Sequence, residues 1–103
     1  MQKLYEIIIP TRYPNDKKIP TKDHKEWDRL VQKISGGLTV MAASKGKWVF
    51  NAKEYHEKVI PVRVMCDESK IDELIDFTIA YYKQLAVMYY VVSAEVHIRH
   101  AKP

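Results

Sequence analysis

Apolar and polar positions along the chain follow two periods. Leu4 to Ile9, with Ile7-Ile8-Ile9 at its centre, is a β-branched run that predicts a buried strand. Pro10 ends it, because proline has no N–H for a ladder. Arg12 to Pro20, RYPNDKKIP, is dense in turn formers and predicts a loop. From Asp23 the period changes. Trp27, Leu30, Val31 and Ile34 recur at i, i+3, i+4 and i+7, one apolar face of a helix. Asp23 with Glu26 fits a capping box at its start, and Ser35-Gly36-Gly37 stops it. Leu38 to Ala43 then predicts a short strand, Ser44-Lys45-Gly46 a turn, Lys47 to Phe50 a return strand, and Asn51 to Lys58 a polar, irregular segment. Val59 to Cys66 predicts the next strand, with one edge unpaired at Pro61. A second helix is expected from Ser69 to Gln84, opened by Ser69 and Asp72 and buried along Ile71, Leu74, Ile75, Thr78, Ile79 and Tyr82. Ala86 to Val96 predicts the last strand. Val87, Tyr89 and Val91 face one side and Met88, Tyr90 and Val92 the other, so both faces are expected to be buried, one under helices and one against a partner subunit.

The order β-α-β-(β)-β-α-β is that of a split βαβ, ferredoxin-like α+β sandwich: an antiparallel sheet with two helices on one face. Its other face would expose Tyr, Val and Met residues, more apolar surface than a monomer usually shows, so a homo-oligomer is expected. At 103 residues the chain, 1–103, is expected to be a single domain.

Composition narrows the function classes. No apolar run reaches a membrane span, and the charged N-terminal stretch lacks the pattern of a signal peptide. One cysteine allows no intrachain disulfide and fits a reducing, cytoplasmic setting. No Cys/His spacing resembles a zinc site, and no metal or cofactor is expected. The formal charge of +4 admits nucleic acid, phosphorylated molecules or membrane surfaces as partners. The lysines are scattered, however, and the aromatic pattern of an RNA-binding sheet is missing, so nucleic acid is not expected.

The stretch richest in candidate chemistry is Lys47 to Cys66. Trp48, Tyr55 and Glu57 precede the β-branched strand there, and aromatic faces with a carboxylate are what a small cationic ligand needs. Arg12 and Tyr13 stand at the exit of the first strand, where binding groups commonly sit. Arg12 could take a carboxylate or phosphate in its fork, or serve a structural ion pair. Arg63, between Val62 and Val64, points to the opposite face from them and either lines a site or pairs with a carboxylate. Glu95 interrupts the apolar run from Tyr89 to Val96. Cys66 reads as core, Asp67 and Glu68 as complements to a helix dipole, and His97 and His100 as a solvated end.

Several segments resemble the phage-encoded S-adenosylmethionine (SAM) lyases, formerly called SAM hydrolases, and the related lyases of SAM-AMP, a second messenger of type III CRISPR antiviral signalling. They are Tyr5-Glu6-Ile7-Ile8-Ile9-Pro10-Thr11-Arg12-Tyr13-Pro14-Asn15, the helix between His24 and Gly36, Val62-Arg63-Val64-Met65-Cys66, and Gln84-Leu85-Ala86-Val87-Met88-Tyr89-Tyr90. The resemblance implies a ferredoxin-like trimer with sites between subunits. It implies catalytic roles for Glu57 and Glu95, with Trp48 standing at the family's tyrosine and Tyr55 supplying a catalytic hydroxyl in its place; Trp48, Arg12, Tyr13 and Arg63, read from the residues, are the candidate substrate contacts. The implied reaction is cleavage of SAM or SAM-AMP to a methylthioadenosine product and homoserine lactone. The substrate's own carboxylate attacks, and the protein supplies conformation and charge. Gly37-Leu38-Thr39-Val40 with Gly46-Lys47-Trp48 also resembles a bacterial domain family of unknown function. The alternative is a non-catalytic, oligomeric small-ligand-binding or regulatory module.

Overall fold

A computed structural model describes residues 2–103. The elements are β1 (Gln2–Pro10), α1 (Thr21–Ser35), β2 (Leu38–Val40), β3 (Ser44–Phe50), β4 (Lys53–Asp67), α2 (Glu68–Tyr82) and β5 (Tyr89–Ser93). The sheet runs β2-β4-β1-β5, with β3 also on β4, and every pairing is antiparallel. Both helices pack on the same face, α1 against β2 and β4 and α2 against β1 and β4. This is the expected α+β, ferredoxin-like sandwich.

Strand parity explains the core. Tyr5, Ile7 and Ile9 of β1 stand beside Val64, Val62 and Ile60 of β4 and point under the helices. There they meet Trp27 and Val31 of α1 and Ile71, Leu74, Ile75 and Tyr82 of α2, the apolar stripes that the helical period predicts. Polar atoms in this core are paired. The Trp27 indole N–H donates to Thr78 Oγ1 at 3.1 Å, and the Thr78 hydroxyl donates to the Leu74 carbonyl at 2.7 Å. Cys66 is buried among them, as expected.

Several sequence-based boundaries change. The helices open at Thr21 and Glu68 with Pro20 and Asp67 as N-caps and no side-chain cap bond, so neither expected capping box forms. Asp23 instead accepts a hydrogen bond from the Tyr13 hydroxyl at 3.2 Å. Ser44-Lys45-Gly46 is strand rather than turn, and Asn51 to Lys58 is not irregular: β3 and β4 form one long hairpin closed by Asn51 and Ala52, at φ 51° and 62°. Those left-handed angles make a two-residue turn that matches the twist of the strands. β2 is shorter than expected, because the chain takes one extra residue between the pairs Val40–Val62 and Ser44–Val59. Pro61 lies in that gap, where β4 has left β3 and not yet met β2, and the missing N–H breaks no ladder. The last strand spans only Tyr89–Ser93, and Tyr89, Tyr90, Val91 and Val92 are exposed on the single chain rather than buried on both faces.

The hairpin projects from the sandwich as an arm. The chain measures 54 × 30 × 25 Å with a radius of gyration of 15.0 Å, against about 13 Å for a compact domain of this length.

Candidate functional site

Residues of odd number in β4 and even number in β1 point away from the helices. On that side Ile8 and Pro10 of β1, with Glu57, Val59 and Pro61 of β4, floor a groove of about 640 Å³. Ser44 to Trp48 of the arm form one wall and Gln84 with Ala86 to Met88 the other. The second wall is held in place because the Ile8 N–H donates to the Met88 carbonyl at 3.0 Å. The Thr11 hydroxyl donates to the Lys58 carbonyl at 2.7 Å and fixes the β1 exit against the arm.

Glu57 stands opposite Gly46 on the neighbouring strand. With no side chain at 46, one flank of the carboxylate is left open; a Cβ there would touch Glu57 Cγ at 3.8 Å. Partial burial raises the Glu57 carboxyl above the usual carboxylate range. Among the described residues no hydrogen-bond or ion-pair partner compensates it. Trp48 lines the same groove, half-exposed, and stacks on Tyr55 with ring centroids 6.0 Å apart and planes 18° apart. A cation of the chain itself already faces this stack: Lys53 Nζ lies 5.1 Å from the Tyr55 ring centre.

The sequence-derived candidates fall into four places. Trp48 and Glu57 share the groove. Arg12, Tyr13 and Tyr55 border a second depression of about 580 Å³, which meets the first at Pro10, Glu57 and Gln84. Arg12 is bound within its own loop, donating to the Asp16 carbonyl at 2.8 Å with the Asp16 carboxylate at 3.9 Å. Arg63 lies on the same sheet face as Glu57 but six residues along β4, about 20 Å away, with its Nε donating to Glu6 Oε1 at 3.0 Å. The Tyr90 hydroxyl donates to the other Glu6 oxygen. Glu95 does not interrupt a strand: it follows β5 in an exposed tail, 3.2 Å from His97 Nε2.

Two residues escaped the sequence reading. Glu6 is a charge inside an apolar strand, and Arg63 is its partner; the paired interruptions of two neighbouring strands were the available signal. Gln84 read as a helix end, and nothing in its sequence neighbourhood marks the wall it forms. No helix among the described residues is long and apolar enough to cross a membrane. Among the described residues no group of three or more His, Cys, Asp or Glu side chains is arranged to hold a metal ion.

Comparison with known proteins finds no matching family model and no matching curated protein. Solved structures do match. The divalent cation tolerance protein CutA1 of Thermus thermophilus superposes with a TM-score of 0.72 at 8% identity, covering 94% of this chain and 88% of that one. CutA1 of Oryza sativa gives 0.72 at 9% identity over 94% and 83%. The periplasmic divalent cation tolerance protein CutA of Archaeoglobus fulgidus gives 0.71 at 13% over 96% and 89%. At such identities the likeness is one of fold. It overturns the resemblance to SAM and SAM-AMP lyases, and with it the lyase, phage and type III CRISPR signalling roles. The segments that carried that resemblance are two buried strands with the exit of the first, one helix and the lead into the last strand, a pattern set by the fold rather than by the chemistry of a site.

Proposed function

We propose that the chain is a non-catalytic, homo-oligomeric module that binds a small ligand with a cationic centre in the groove beneath its arm, in a regulatory role. The observation that carries this reading is Glu57. A carboxylate without a hydrogen-bond or ion-pair partner among the described residues lines a groove whose volume suits a small molecule, beside the face of Trp48, with Lys45 and Lys47 also on the arm wall. A ligand cation would supply the direct partner that Glu57 lacks, and the indole face would favour the same sign. Tyr55 supports Trp48 from behind, and Arg12 and Tyr13 border the adjoining depression. Arg63 and Glu95 stand outside this binding group.

Assembly is supported by the apolar surface of the single chain. Val49 and Phe50 at the arm's tip are 70% and 63% exposed, and Met88 is 63% exposed; such patches mark interaction surfaces. The CutA proteins that share the fold are named for divalent cation tolerance. The ligand assigned here is instead an organic cation, because one carboxylate and an indole suit that chemistry better than a metal.

Phenethylammonium is a suitable probe. Isothermal titration of the wild-type protein should show saturable binding, with the amine recovered intact by mass spectrometry, and Trp48→Ala should weaken it. Binding that is unchanged in Trp48→Ala, or no binding at millimolar probe, contradicts the groove reading.

A further inference from the structure

We infer that the groove selects a protonated amine, with N–H donors, over a permanently charged quaternary ammonium, and that Gln84 is the residue that makes the distinction. The inference rests on the groove reading and specifies its ligand.

Gln84 follows the end of α2. Lys83 takes the left-handed conformation at φ 56°, and the Gln84 N–H donates to the Ile79 carbonyl at 3.0 Å, so the backbone is fixed by the helix end. The side chain is fixed too: Nε2 donates to the Tyr82 carbonyl at 2.9 Å. A peptide carbonyl can only accept, so the amide nitrogen must be the atom on that side. The oxygen Oε1 is therefore presented away from it, and among the described residues no donor reaches it. Gln84 and Glu57 both line the groove and both border the depression beside it. The site thus offers two oxygen acceptors, one charged and one neutral, at the same junction.

A quaternary ammonium is recognised differently. It has no N–H to donate and is held by several aromatic faces arranged as a cage. This groove has a single aromatic wall, Trp48; the ring behind it, Tyr55, is already occupied by Lys53. Two acceptors with one aromatic face match an ammonium whose N–H groups satisfy Glu57 and Gln84. A trimethylated head would leave both oxygens desolvated without a donor, which is the costly outcome for buried polar groups.

The test compares phenethylammonium with its N,N,N-trimethyl analogue, which carries the same ring and charge, by titration followed in amide-resolved NMR. The expected result is that both perturb Trp48 and Glu57, with the trimethyl analogue about tenfold weaker or more, the change that loss of one charge-assisted hydrogen bond produces. Gln84→Leu should narrow that gap; if this variant does not fold, the wild-type comparison decides alone. Equal or tighter binding of the trimethyl analogue at Trp48 and Glu57 overturns the inference and leaves the groove reading standing. Absence of any perturbation there by either probe overturns both.

Discussion

Glu57 sets the residue-scale behaviour. Its folded-state carboxyl is raised by partial burial, so the folded protein holds that proton more tightly than the unfolded chain. The carboxyl group therefore adds stability below the ordinary carboxylate range and withdraws it as pH rises through the raised folded value. Glu57→Gln should consequently melt at a slightly higher temperature than wild type at neutral pH, while losing affinity for the cationic probe. A lower melting temperature with unchanged affinity would show that Glu57 is already paired. Glu6 presents the opposite case, a nearly buried carboxylate that is fully engaged by Arg63 and Tyr90. Arg63→Met should cost about 1–3 kcal/mol, because it strips the charge partner from a buried acceptor. Glu6→Leu combined with Arg63→Met should recover most of that loss in chemical denaturation. A double variant as unstable as Arg63→Met would mean that the pair contributes by packing. Sequence made Trp48 and Glu57 legible as a pair because residue type alone suggests cation chemistry. For Glu6 it offered only a charge interrupting each of two apolar strands, and the register is what places that charge beside Arg63.

The element that sequence reading resolved least is the arm. Its turn is Asn51-Ala52, where the usual hairpin signal would be Asn-Gly. Alanine at φ 62° bears the crowding between Cβ and carbonyl that glycine avoids. Without a glycine the turn was hidden, and the polar strand Lys53 to Lys58, which is exposed along its length, showed no alternation to betray it. Ala52→Gly should therefore stabilise the protein by about 1 kcal/mol, read as a shift of the denaturation midpoint with unchanged slope; the glycine's extra freedom in the unfolded chain offsets part of the gain. A destabilised variant would mean that the turn is not left-handed at Ala52. The helices were legible for the converse reason. Both bury one stripe against a sheet, and burial at a period of 3.6 residues is written directly in Trp27–Val31 and Ile71–Tyr82. Their caps were not, because Asp23 spends its carboxylate on Tyr13 rather than on its own helix.

At the scale of the whole molecule, the element order gave the split βαβ sandwich, since two strand-helix-strand units of this length have few other ways to cover one sheet face. What the order could not give is the projection of the arm and the groove it overhangs, both of which arise from the length of β4 and the break in its edge partner at Pro61. The arm also carries the exposed apolar tip on which the assembly proposal rests. Val49→Asp with Phe50→Asp should shift the sedimentation coefficient towards that of a monomer, because an unpaired charge in an interface is strongly unfavourable, while leaving the circular dichroism unchanged. An unaltered assembly would move the interface elsewhere, to β5. The groove and the arm meet in a single question, whether the space beneath the arm holds a ligand or a neighbouring copy. A crystal structure of the protein grown with phenethylammonium answers it. The account predicts the ammonium nitrogen within about 2.7–3.2 Å of the Glu57 carboxylate, with the aromatic ring against Trp48. A groove filled instead by side chains of another copy, with Glu57 paired to one of them, would contradict it.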